Sequence, residues 1–111
     1  MKTFERTYEQ NMAASLQTTL FSIAHDYAIC FTNSQYRDGE RFDCELKAFV
    51  NDDKQIVSIE VHAHITEEGE RYIVQQFIFD CERSSRAQCF KKEVFCKYDV
   101  LEIVCNWVRT I

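Results

Sequence analysis

The chain contains no proline and only two glycines, Gly39 and Gly69, in 111 residues. A phosphate cradle or dinucleotide fingerprint needs several glycines in one short loop, so both are excluded. No apolar run approaches the roughly 20 residues that cross a bilayer, which argues against a membrane partner. Met1-Lys2-Thr3-Phe4-Glu5-Arg6 leads into polar sequence, without the apolar stretch and small-residue cleavage site of a secretory signal. None of Asn11, Asn33, Asn51 and Asn106 begins an Asn-x-Ser/Thr glycosylation site. The expectation is a single soluble α+β domain, residues 1–111, in the cytoplasm.

Cysteine is abundant by contrast: Cys30, Cys44, Cys81, Cys89, Cys96 and Cys105. A reducing compartment disfavours disulfides, and free cysteine behaves as a small hydrophobe. No Cys-x2-Cys knuckle exists to begin a structural zinc site. The cysteines are therefore expected to be reduced core residues. Cys44 falls on a strand's apolar face, Cys30, Cys89 and Cys105 fall on helical apolar stripes, and Cys81 and Cys96 are unplaced.

Hydrophobic residues make up 46% of the chain, enough to close a core at this length. Met12, Leu16, Leu20, Ile23 and Tyr27 recur at helical spacing, and Phe21, Ala24, Ala28 and Phe31 widen the stripe. They predict a long N-terminal helix from Tyr8 to about Phe31, with Thr7 and Gln10 as a capping box. The period then changes to two. Phe42, Cys44, Leu46, Ala48 and Val50 define one strand, and Val57, Ile59, Val61, Ala63 and Ile65 a second. Gly69 is available for a positive φ in the next turn. A third strand, Arg71 to Asp80, carries apolar groups on both faces, which calls for cover by the C-terminal segment or by a second molecule.

Residues 85–97 fit a helix through Ala87, Phe90 and Val94 or a fourth strand through Cys89 and Phe95, and the helix is favoured. Asp99 and Glu102 form a capping box for a final helix through Val100, Leu101, Val104, Cys105 and Val108. The resulting architecture is a long helix, a three-stranded antiparallel meander and one or two C-terminal helices.

The net charge is −5, with ten acids and three bases between residues 38 and 70. Asp52, Asp53, Glu60, Glu67, Glu68 and Glu70 are the candidate partner-binding residues, suited to a protein target with a basic surface. Lys91-Lys92 is too thin a basic feature for direct nucleic-acid binding. His62 and His64 project from one strand face beside Glu60, the best metal-like constellation in the chain. No nucleophile elbow or zincin helix is present, and no cofactor is implied.

Elimination leaves a small acidic non-enzymatic inhibitor that occludes a nucleic-acid-binding surface, of the anti-defence kind encoded by phages and plasmids (anti-CRISPR or anti-restriction). The alternatives are a toxin-immunity protein and a metal-binding protein or enzyme using the His62/His64 face. The two-faced third strand and Trp107 also suggest a homodimer.

Overall fold

The computed structural model describes residues 8–36 and 40–111, with side chains from Asn11 onward. The Thr7/Gln10 capping box and the Asp38-Gly39 loop lie outside the described residues. The element order is α1 (Tyr8–Asp26), β1 (Cys30–Gln35), β2 (Arg41–Val50), β3 (Gln55–Thr66), β4 (Gly69–Asp80), β5 (Ser85–Val94) and α2 (Lys97–Thr110). The strands form one antiparallel meander in the order β1-β2-β3-β4-β5. The expected three-stranded sheet is therefore corrected to five strands with one helix on either side in sequence. Each missed strand has a local cause.

At the first, α1 does not reach Phe31. It stops at Asp26 in a Schellman arrangement: Ile29 N–H donates to Ala24 C=O (2.8 Å) and Ala28 N–H to His25 C=O (3.2 Å). Ala28 holds the left-handed position at φ 54° that glycine usually fills. With alanine there, the sequence carries no stop signal, and Phe31 continues a helical spacing although it belongs to β1.

At the second, the turn into β5 is built without glycine or proline. Asp80 Oδ1 accepts from the backbone N–H of Glu82 (3.0 Å) and Arg83 (3.1 Å), and Ser84 reverses the chain at φ 51°. A bulge then leaves Cys89 unpaired, because Phe77 is opposite Gln88 and Gln76 is opposite Phe90. The extra residue flips the alternation, so Ala87 before it and Phe90 and Val94 after it share one face. Their three-and-four spacing mimics a helix.

Both helices pack on the same face of the sheet. Ala13, Leu16, Leu20 and Ala24 of α1 and Val100, Val104, Trp107 and Val108 of α2 enclose a core with Phe42, Cys44, Leu46, Ile59, Val61, Ala63, Ile65, Tyr72, Val74 and Val94. Burying each larger apolar side chain contributes about 1.5–3 kcal/mol, which outweighs modest local costs such as Ala28. Trp107 is a core residue here, not part of an exposed dimer contact. No helix among the described residues is long and apolar enough to cross a membrane.

The start of α2 also differs from expectation. Its N-cap is Cys96, so Asp99 sits in the first turn and not at the cap. Glu70 serves instead: its carboxylate accepts from Lys97 N–H (2.7 Å) and from the Tyr72 hydroxyl (3.3 Å). A strand residue thus caps the helix that covers its own sheet. Gly69 does not take up a positive φ.

All six cysteines are free, but only Cys44 is buried. Cys30 and Cys89 are exposed on the two edge strands, correcting their assignment to apolar helix faces. Burial pushes the Cys44 thiol up to about 12, with the Asp43 charge adding to the effect.

Candidate functional site

With both helices on one side, no described helix covers the other face of the sheet. Strand pairing arranges its residues in rows running across the strands. Phe49, Ile56, Phe79 and Arg86 form one row, and Lys47, Ser58, Phe77 and Gln88 the next. Glu45, Glu60, Gln75 and Lys91 follow, then Asp43, His62, Ile73 and Glu93, and finally Arg41, His64 and Arg71. The third strand in the sequence-based reading, now β4, thus contributes Phe77 and Phe79 to this face. The C-terminal segment does not cover them.

The end carrying Phe49 is apolar. Phe49 is 61% exposed and Ile56 and Phe79 are half-buried. Phe77 is capped by Arg86, whose guanidinium lies 3.6 Å from the ring centroid and also pairs with Glu60. Two loops frame this end and are tied together by Cys81 N–H donating to Lys54 C=O (2.9 Å).

The centre of the face is a polar chain. Tyr36 donates to Asp43 Oδ2 (3.0 Å), and Asp43 Oδ1 lies 2.6 Å from His62 Nδ1. His62 Nε2 is 3.3 Å from Glu60. The Asp43 carboxylate raises the Tyr36 hydroxyl's pKa, first by accepting its hydrogen bond and then by its charge. His64 turns to Glu40 (3.4 Å). Both imidazoles therefore face carboxylates, an arrangement that orients each ring.

β3 does place Glu60, His62 and His64 on one face, as expected. However, no cluster of three or more metal-ligating side chains able to hold an ion occurs among the described residues. His62 and His64 diverge toward different partners.

The six acidic candidates do not form one surface. Asp52 and Asp53 occupy the β2–β3 turn beside Phe49, whereas Glu67 and Glu68 occupy the β3–β4 turn at the other end of β3. Those ends are separated by a 12-residue strand, about 40 Å. Glu60 is neutralised by Arg86, and Glu70 is on the helix side, occupied with α2.

Asn51, Asp52 and Asp53 have φ values of 55°, 55° and 64°, a conformation that Asn and Asp tolerate better than most residues. Their side-chain type thus has a backbone reason as well. The sheet face itself is mixed in charge, with Lys47–Glu45 (3.4 Å) and Arg71–Glu93 (2.9 Å) adding to the Arg86–Glu60 pair.

Sequence reasoning missed the Phe49–Ile56–Phe79 row, although the apolar residues at 49, 56 and 79 lie out of phase with the core face of their strands. No family model matches the chain, nor does any curated protein or solved structure.

Proposed function

We propose that the chain is a non-enzymatic, cytoplasmic protein-binding domain that docks its target on the apolar end of the sheet face opposite both helices. The observation that carries this reading is the Phe49–Ile56–Phe79 row, an apolar strip crossing three strands and ending at Arg86 of β5, on the side of the sheet over which neither described helix packs. Asp52, Asp53 and Glu82 on the framing loops outnumber Lys54 and Arg83. The complementary partner is a protein with an apolar anchor and a basic rim. Inhibition by occluding a basic surface is compatible with this end of the molecule. It would not use Glu60, Glu67, Glu68 or Glu70.

The test compares affinity capture by the wild type, by Phe49→Ser with Asp52→Asn and Asp53→Asn, and by Glu67→Lys with Glu68→Lys. The asparagines remove charge while tolerating the left-handed backbone. A protein captured by the wild type, lost by the first variant and retained by the second supports the proposal. Identical capture by all three would refute it.

A further inference from the structure

A different side of the molecule is distinguished by what it lacks. Charged residues make up 28% of the chain, yet between Gln10 and Tyr36 the only Asp, Glu, Lys or Arg is Asp26. The fold puts this stretch in one place: α1 packs over β1, and β1 is the edge of the sheet among the described residues. Phe21, 55% exposed, leaves α1 toward that edge and meets the Phe31 ring edge-on at 5.8 Å.

The two edges of the sheet are built differently. β5 carries Arg86, Lys91, Lys92 and Glu93 and is broken by the bulge at Cys89, the ordinary ways of preventing another strand from adding. β1, Cys-Phe-Thr-Asn-Ser-Gln, has no charge, proline or glycine, pairs with β2 without interruption over six residues, and is exposed except at Phe31. Its outer row of backbone donors and acceptors suits an extended strand.

We propose that β1 pairs with β1 of a second copy, antiparallel about a two-fold axis, extending the sheet to ten strands with both helical layers on one face. Two copies each carrying −5 repel wherever their charges meet. The α1/β1 side removes that cost, and interface centres are generally depleted in charge. Self-pairing closes the dimer, and the protected β5 edges prevent its growth into a fibre. Phe21 and Phe31 of each copy then flank the seam. Phe49 shares a pocket with Cys30 at one end of β1, whereas Thr32 and Ser34 lie opposite Glu45 and Asp43, so the two assignments are tested at different residues.

The experiment is sedimentation over a series of concentrations for the wild type, Thr32→Lys with Ser34→Lys, and Phe49→Ser. Thr32 and Ser34 face Glu45 and Asp43 across β2, so lysines there meet carboxylates within the monomer. In the dimer, at least one lysine pair faces its like across the seam. The lysine variant is expected to weaken self-association about a hundredfold while still unfolding in one cooperative thermal transition, at a temperature that no longer rises with concentration as the wild type's does, and Phe49→Ser to dimerise normally. Hydrogen exchange of the wild type should show the β1 amides gaining protection as concentration rises. A wild type that stays monomeric, a dimer unaffected by the two lysines, or β1 exchange independent of concentration would each overturn the proposal.

Discussion

Glu70 offers the sharpest test of how this fold is held, because a helix cap and a partner contact predict opposite outcomes for one substitution. Its carboxylate receives Lys97 N–H, one of the unpaired donors at the start of α2, and also the hydroxyl of Tyr72, a fully buried residue. In Glu70→Ala the lost cap costs about 1 kcal/mol. The lost negative charge at the positive end of the helix costs a further ~0.5 kcal/mol, and weakening the Tyr72 hydrogen bond about 0.5 kcal/mol. The total is about 2 kcal/mol, a large fraction of the 5–15 kcal/mol typical of a domain.

Glu70→Gln keeps an acceptor but not the charge and should lose about 0.5 kcal/mol, roughly a quarter as much. Urea unfolding of both variants, with Glu67→Ala as an exposed-turn reference expected to change little, measures these differences at constant m-value. A loss below about 0.5 kcal/mol for Glu70→Ala would mean that α2 does not depend on this cap.

Two further predictions concern single residues. Ala28→Gly should stabilise the protein by about 0.5–1 kcal/mol in the same assay, because relief of the left-handed strain exceeds the entropy glycine adds to the unfolded chain; a destabilised variant would contradict the helix end described here. For Cys44, whose folded pKa is raised to about 12, stability should be insensitive to its titration below pH 9. It should then fall by about 1.4 kcal/mol per pH unit from 9 toward 12, as the unfolded thiol ionises and the folded one does not. Cys44→Val should remove that share of the slope, and thiol reagents should modify Cys30 and Cys89 in the native protein well before Cys44.

The amino-acid sequence determined those features that depend on local period and composition. β2 and β3 follow from strict alternation, the body of α1 and α2 from helical spacing, and the burial of Cys44 from its place in the alternation. The same-face placement of Glu60, His62 and His64 follows from the pleat of one strand.

Only the tertiary structure decided the rest. At Ala28 and Cys89 a backbone irregularity changes the period without changing residue type, so β1 and β5 carry helix-like spacings. The closeness of acidic residues in sequence did not become closeness in space, because a 12-residue strand separates the two turns and Glu70 is turned toward α2. Whether the second apolar face of β4 is covered depends on which side α2 crosses. That choice is made by Val100, Val104 and Trp107 packing onto the same core as α1, and it leaves Phe77 and Phe79 on the open face.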